Sequence, residues 1–170
     1  MLDAALMENA RQDLFVLAKA LLALFLGGVV GFEREAAGKW AGLRTHMLVC
    51  LSAFLFVETG QAIAIATAPM WEAAGIADQG FGADPVRIVQ SIVVGISFVG
   101  AGAVFRDPDR NVARGLTTAA SLLIVAPIGI AVAIDRYVLA AGTAVIVFVV
   151  LRAVQWFERR IFGETRTDGE

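Results

Sequence analysis

The side chains of this chain that could do chemistry are concentrated in a charged segment between two apolar runs. Glu33, Arg34 and Glu35 stand together there, and His46 opens the next run. Carboxylate oxygens are the ligands that Mg²⁺ prefers in proteins, so both glutamates are weak candidates for a metal site. Each carboxylate also lies beside an arginine, and internal ion pairing is the favoured interpretation. His46 is the only histidine, which excludes a site built from several histidines.

Two similar segments, Gly42-Leu43-Arg44-Thr45 and Gly115-Leu116-Thr117-Thr118, each follow a charged loop and open an apolar run. The first backbone N–H groups of a helix have no partners within the helix, so its start favours an anion. Arg44 and Arg114 would add positive charge beside a phosphate or carboxylate. The favoured alternative is that carboxylates of the same chain cap both helices. The carboxylates in these two loops are Glu33, Glu35, Asp107 and Asp109.

Glu58 is an acidic residue within the second apolar run. It lies eleven residues beyond Met47, about 16 Å at 1.5 Å per residue, which predicts a position near the bilayer midplane. An ionised carboxylate at that depth costs several kcal/mol, so we expect Glu58 to be neutral, paired or facing water. Lys19 of the preceding run is the candidate partner. The alternative is that residues 58–61 lie at a thinned outer interface.

A polar stripe follows the third apolar run at steps of three and four residues. Its members are Arg87, Gln90, Ser91 and Ser97. Side chains at this spacing share one face of a helix. Two interpretations stay open: the stripe lines the same cavity as Glu58, or it makes hydrogen bonds between helices.

The composition indicates a polytopic membrane protein. Of the 170 residues, 58% are hydrophobic, whereas soluble globular proteins have roughly 45–50%. Five runs are near the length of about 20 residues that a bilayer requires, and none alternates as a barrel strand does. These runs are Leu14–Phe32, Met47–Ala68, Val86–Phe105, Leu116–Ile134 and Tyr137–Phe157. We therefore predict an all-α fold with one transmembrane domain, residues 1–157, and a short cytoplasmic tail, residues 158–170.

The charges predict an orientation and exclude several classes of function. With five spans, ten lysines and arginines fall on one side of the membrane and four on the other. The positive-inside rule then places the N-terminus outside and the C-terminus in the cytoplasm. The net charge of −2 does not suit nucleic-acid binding. No nucleophile–base pair, Walker loop or Rossmann fingerprint is evident, so we expect no enzymatic activity and no cofactor except, as an open alternative, Mg²⁺.

Small residues suggest both a repeat and close helix packing. Sliding the chain by 73 positions aligns Gly27 with Gly100 and the two Gly-Leu-x-Thr segments with each other, which predicts a parallel two-helix repeat followed by a fifth helix. Gly27 and Gly31 form a G-x-x-x-G pattern, and the third run is thin at Gly95, Gly100 and Gly102. The favoured use is packing within one protomer, and the alternative is a dimer interface. We expect a homodimer.

Two stretches together resemble the MgtC/SapB family of bacterial inner-membrane proteins. GFEREAAGKWAGLRTHMLVCLSAFLF resembles its first signature, and RIVQSIVVGISFVGAGAVFRDPDRNVARGLTTAASLLIVAPIGIAVA resembles its second. The resemblance implies a plasma-membrane location and a link to magnesium limitation, acid stress and survival inside host cells. Many members continue into a soluble C-terminal domain, so the resemblance is to a short form. The motif positions that match are Glu33, Arg34, Glu35, Gly42, Arg44, Thr45, His46, Gln90, Gly100, Gly102, Arg114, Gly115, Thr117 and Thr118.

Two functional hypotheses follow from the residues and the resemblance. Some family members are named magnesium transporters, while others are thought to act by binding other membrane proteins, including the ATP synthase and P-type transport ATPases. The first hypothesis is therefore a modulator of another membrane protein, linked to magnesium homeostasis and stress. The second is a transporter of Mg²⁺ or another ion, with Glu58 lining the path. A single intramembrane carboxylate without an evident ion cage favours the modulator.

Overall fold

The structure is a computed structural model that describes residues 2–75, 84–107 and 112–162. Five helices follow one another through these residues, and a short hairpin separates the third from the fourth. The helices are α1 (Leu2–Ala36), α2 (Leu43–Ala73), α3 (Pro85–Gly102), α4 (Leu116–Ala133) and α5 (Tyr137–Phe162). The hairpin strands are β1 (Phe105–Asp107) and β2 (Val112–Arg114), which pair antiparallel with Phe105 opposite Arg114.

All five helices are long and apolar enough to cross a membrane, so the prediction of an all-α membrane fold is confirmed. The helix boundaries differ from those that hydropathy alone suggested. The first two helices are 35 and 31 residues long, about 50 Å each, and must project beyond a hydrocarbon core of about 30 Å. The third helix ends at Gly102 and not at Phe105, because Phe105 already belongs to β1 and lies edge-on to Trp40 with ring centroids 5.3 Å apart.

Glycines allow α1 and α4 to pack closely on the two sides of α2. A Cβ on Gly27 would lie 2.6 Å from Cys50 Cβ, and one on Gly31 would lie 2.8 Å from the Cα atom of Leu43. Gly129 of α4 likewise faces the backbone of Cys50. The G-x-x-x-G pattern therefore serves helix packing within one protomer, which is the interpretation that the sequence favoured.

The two-helix repeat is visible in how each pair of helices packs. Gly27 of α1 faces the carbonyl of His46, and Gly100 of α3 faces the carbonyl of Ala119, which is the residue 73 positions after His46. The second helix of each pair also starts at the aligned leucine, Leu43 or Leu116. The connecting loops differ, because α1 remains helical to Ala36 whereas α3 ends earlier and leads into the hairpin.

The centre of the bundle is an apolar layer contributed by α1, α2 and α4. Its side chains are 6% exposed or less, and they include Ala23, Leu26, Val30, Cys50, Ala53, Phe54, Leu122, Val125, Ala126 and Ile128. Polar groups lie on both sides of this layer along each of the three helices. The burial of Cys50 agrees with the behaviour of a free thiol as a small apolar residue.

Candidate functional site

The first polar cluster, here called the Glu33 cluster, lies where α1 ends and where α2 and α4 begin. Its members are Glu33, Arg34, His46, Thr118 and Ser121, each no more than 2% exposed. The Arg34 guanidinium folds back on Glu33, with Nε 2.6 Å and Nη2 2.5 Å from the Glu33 Oε2 atom. A charged pair this deeply buried is tolerated because each charge neutralises the other, so removal of either partner would be costly.

His46 joins α2 to α4 through both of its ring nitrogens. Nδ1 lies 2.9 Å from the Gly42 carbonyl, and Nε2 lies 2.9 Å from the Ser121 hydroxyl. Because a carbonyl only accepts hydrogen bonds, Nδ1 must carry a proton. In a neutral imidazole Nε2 then accepts from the Ser121 hydroxyl, whereas in an imidazolium it donates to that oxygen. In the second case Ser121 is left to donate to the Thr118 carbonyl, 2.8 Å away.

The Glu33–Arg34 pair is incompletely satisfied. Within the described residues, Glu33 Oε1 and Arg34 Nη1 are buried and have no hydrogen-bond partner. Buried polar atoms in this state carry a desolvation cost that apolar side chains of the same volume would avoid. We therefore expect the pair to add less stability than well-packed apolar side chains would.

Glu35 caps the start of α2. Its Oε2 atom accepts a hydrogen bond from the Leu43 backbone N–H, 3.0 Å away. A Cβ on Gly42 would occupy the space of the Glu35 carboxylate, so glycine at this position lets the cap form. The expectation that a carboxylate of the same chain satisfies this helix terminus is confirmed for α2, and a bound anion is not needed there. Arg44 is exposed and Thr45 is half-buried.

The start of α4 is arranged differently. Gly115 has a φ of 84°, in the left-handed region, and as a glycine this N-cap residue has no side chain to cap the helix. A cavity of about 40 Å³ lies there, lined by Lys39, Arg114, Thr117 and Thr118 among others. The side chains of Asp107 and Asp109, which the sequence offered as caps, lie outside the part of the chain whose side chains are described.

The second polar cluster, here called the Lys19 cluster, lies at the opposite end of the bundle. The Lys19 ammonium is 2.6 Å from Glu58 Oε1, 3.0 Å from Asp135 Oδ1 and 3.0 Å from the Ala133 carbonyl. Lys19 thus ties α1 to α2 and to the turn between α4 and α5. The partner suggested for Glu58 is the one that the structure provides. Tyr137 completes the cluster, because its hydroxyl donates to Asp135 Oδ1 at 2.5 Å.

The contacts of Glu58 favour the interfacial alternative over the midplane position that we expected. The expectation counted residues from Met47, but α2 begins at Leu43, so Glu58 lies 15 residues into the helix. It is level with Asp135, an exposed residue in the turn just beyond α4. A turn of this kind belongs near the edge of the bilayer, where backbone groups reach water. The alternative of an interfacial position describes Glu58 better.

The polar stripe of α3 is not brought to Glu58. Arg87 and Ser91 line a groove between α2 and α3, while Glu58 faces Lys19 on another side of α2. Gln90 and Ser97 are exposed and do not line that groove. The interpretation that the stripe and Glu58 line one cavity is therefore wrong. Only two of the four stripe residues, Arg87 and Ser91, line the groove beside α2, and Glu58 does not line it.

The three glycines of α3, Gly95, Gly100 and Gly102, also have different surroundings. At Gly95 and Gly102 an added Cβ would have no atom within 4 Å, so these two positions face open space. Gly100 instead packs on Ala119 of α4. Of the three glycines, only Gly100 therefore serves close helix packing within the protomer.

The three candidate metal ligands are not assembled into a site. Glu33 pairs with Arg34, Glu35 caps α2, and Glu58 pairs with Lys19 at the far end of the bundle. Over residues 2–75, 84–107 and 112–162, no three histidine, cysteine or acidic side chains lie close enough to hold an ion. These residues do not fit a resident Mg²⁺, which needs several oxygen ligands in octahedral geometry.

Sequence reasoning missed Asp135, Tyr137 and Ser121. A signal for Asp135 existed, because the connection between α4 and α5 is so short that its polar residues must lie at one end of the bundle. That end is also the end of α1 that carries Lys19. Ser121 follows Thr118 by three residues and so shares its helix face, but nothing in the sequence indicated that this face meets His46.

A protein-family model described as the MgtC family matches residues 20–160, which contain the Glu33 cluster, Glu58 and Asp135. This chain belongs to the MgtC family. The family assignment from the two signatures is thereby confirmed.

The chain is similar to curated proteins from several bacteria. It is 31% identical to the protein named "Putative magnesium transporter YhiD" of Escherichia coli K12 over 150 residues, 86% of this chain and 63% of that protein. It is 37% identical to the protein MgtC of Brucella abortus over 108 residues, 64% and 38% of the two chains. For MgtC of Salmonella typhimurium LT2 the identity is 35% over 127 residues, 75% and 47%. The chain thus spans less than two thirds of each relative, and no solved structure matches it.

Proposed function

We propose that this MgtC-family membrane protein acts in magnesium homeostasis and stress adaptation by modulating another membrane protein, such as a transport ATPase or the ATP synthase. It would do so in the inner membrane, as a homodimer, without enzymatic activity and without a bound cofactor. The link to magnesium is supported by the family resemblance and by the name of the similar YhiD protein.

One observation carries the choice of modulator over transporter. The Lys19 cluster and the Glu33 cluster are separated on all three helices of the central bundle by the apolar layer. Phe54, Val30 and Val125, for example, are fully buried between them. An ion moving from one cluster to the other through these helices would have to enter this layer without polar partners, which is strongly unfavourable.

The charges of the two clusters support the same choice. A transport site needs ligands that can exchange a partner within the protein for the transported ion. Here the Glu58 carboxylate is engaged by Lys19 and the Glu33 carboxylate by Arg34. Each cation is supplied by the protein itself, so the clusters hold helices together in the manner of structural ion pairs.

Mg²⁺ flux into liposomes that contain only the purified protein tests the transport alternative. We expect no flux above that of empty liposomes, for the unaltered chain and for Glu58→Gln. A Mg²⁺ flux that Glu58→Gln abolishes would overturn the proposal and establish Glu58 as part of an ion path. A flux that Glu58→Gln leaves unchanged would also overturn it, and would place the path elsewhere.

Co-reconstitution tests the modulator directly. A purified P-type magnesium ATPase or ATP synthase is placed in liposomes with and without this protein, and ATP hydrolysis is measured. We expect the rate to change severalfold with an equimolar amount of the protein. An unrelated five-helix membrane protein in equal amount is the control. Unchanged rates with both enzymes would contradict modulation of these partners.

A further inference from the structure

An open groove of about 710 Å³ lies between α2 and α3, outside both polar clusters. Its volume is in the range of small-molecule sites, about 300–1,000 Å³. Apolar side chains line most of it, with Phe56 and Ile63 on α2 and Ile88, Ile92 and Ile96 on α3. Gly95 also lines the groove, and no atom is within 4 Å of the position that a Cβ there would take.

Opposite charges stand at one end of this groove. Asp84 caps α3, since its Oδ1 atom accepts from the Val86 backbone N–H at 2.9 Å, which leaves the second carboxylate oxygen available. Arg87 follows one turn later, is exposed and also lines the groove. Asp84 is the N-cap residue and Arg87 lies in the first turn of α3, where the helix dipole adds a preference for an anion beside Arg87.

The groove runs along about two thirds of the length of α3. Arg87 and Val99 are twelve residues apart, about 18 Å along the helix, while half of the hydrocarbon core is about 15 Å. The charged end is the start of α3, which is where this helix meets the membrane surface. The groove therefore begins at the level of lipid headgroups and extends past the middle of the bilayer, to within three residues of the end of α3 at Gly102.

We propose that this groove binds one phospholipid with an amine-bearing, zwitterionic headgroup. Arg87 contacts the phosphate, because a guanidinium matches its oxygens in a bidentate geometry. The free oxygen of Asp84 accepts from the headgroup amine, and one acyl chain follows Ile88, Ile92 and Ile96. A transmembrane helix fits less well, since its length of about 30 Å exceeds the groove.

Native mass spectrometry of the detergent-purified protein tests this inference. Phosphatidylethanolamine, phosphatidylglycerol and phosphatidylcholine are offered in turn at equal concentration. We expect one phosphatidylethanolamine per protomer, retained about tenfold more tightly than the other two lipids. Equal retention of all three would mean an unspecific lipid shell and would overturn the proposal.

A matched pair of substitutions on α3 tests whether the apolar part of the groove binds the lipid. Gly95→Leu fills the groove, while Gly102→Leu adds the same side chain to the same helix outside it, at another position with open space. We expect Gly95→Leu to lose the lipid and Gly102→Leu to retain it. Equal retention by both would overturn the proposal. Loss of a dimer in Gly95→Leu, with no change in lipid, would assign the groove to a second copy of the chain and also overturn it.

The charged end is tested with variants that preserve folding. Asp84→Asn keeps an effective N-cap residue but removes the charge, so the preference for phosphatidylethanolamine over phosphatidylglycerol should disappear. Arg87→Gln, at an exposed position, should weaken retention of every phospholipid about tenfold. If both variants bind the three lipids as the unaltered chain does, the headgroup assignment is wrong.

Discussion

At the scale of single residues, this protein places its charges in pairs that it supplies itself. Lys19 meets Glu58 and Asp135, and Arg34 meets Glu33. The pairs differ in exposure: Glu58 and Lys19 side chains are 17% and 9% exposed, whereas the Asp135 side chain is 62% exposed. The Glu58 contact should therefore contribute more to stability than the Asp135 contact, since exposed ion pairs contribute little.

Lys19→Met combined with Glu58→Gln should be less harmful than the two single effects added together. Each single change leaves a poorly hydrated charge without its partner, and the double change leaves none. We expect a coupling energy of about 1–3 kcal/mol in thermal unfolding in detergent. Additive losses would contradict the pair, and Asp135→Asn, at the exposed end of the cluster, serves as the control with a smaller effect.

Acid should weaken the Lys19 cluster through Asp135. The hydrogen bond from the Tyr137 hydroxyl and the Lys19 ammonium hold the pKa of the Asp135 carboxyl below its ordinary value of 3.8. A lowered pKa in the folded state means that this contribution to stability is complete above pH 3.8 and is lost as the pH falls through the folded value. Unfolding temperatures measured against pH should fall over this window, and Asp135→Asn should flatten that part of the curve. An unchanged profile would exclude Asp135 as its source.

At the scale of helices, close approach at glycines determines which helices pack. The α1–α2 contact passes through Gly27 and Gly31, whereas Gly142 of α5 faces open space. Helix association inside a membrane depends on such close packing, because the hydrophobic effect does not drive apolar helix surfaces together in lipid.

Gly27→Ala should destabilise the protein, and Gly142→Ala should not. The added methyl at Gly27 would lie 2.6 Å from the Cys50 Cβ and 2.8 Å from the His46 carbonyl, so the two helices must move apart. We expect a loss of about 1–3 kcal/mol, as for other overpacked cores, and a change within about 0.5 kcal/mol for Gly142→Ala. Thermal unfolding in detergent measures both, and equal effects would argue against this packing.

Hydropathy was sufficient to predict the five helices and their order, because each span is continuous in sequence, and the two signature motifs were sufficient to predict the family. The repeat was also predictable, since Gly27 and Gly100 keep the same spacing to the helix that follows. Helix ends were less predictable: α3 ends at Gly102, and Phe105 just beyond it packs on Trp40, which lies 65 residues earlier in the sequence. For the same reason the depth of Glu58 depended on Asp135, which no pattern near Glu58 indicated.

At the scale of the whole molecule, the number of spans between two points predicts whether they lie on the same side of the membrane. The distribution of lysine and arginine predicts which side is the cytoplasm. Between Gly75, after α2, and Phe162, at the end of α5, the chain passes through three helices that can each span a membrane. An odd number of spans places these two points on opposite sides. The positive-inside rule then predicts that the end of α5 lies in the cytoplasm, because the loops on its side carry more lysine and arginine.

Reporter fusions after Gly75 and after Phe162 should therefore give opposite results. Alkaline phosphatase, which is active only outside the cytoplasm, should be active after Gly75 and inactive after Phe162, and green fluorescent protein should show the reverse. Expression level of each fusion, measured by immunoblot, is the control. The same activity at both positions would contradict three spans between them. The opposite pattern would preserve the five-helix fold and show that the charged loop from Glu33 to His46 faces outward, which would place the Glu33 cluster beyond the reach of a cytoplasmic partner domain.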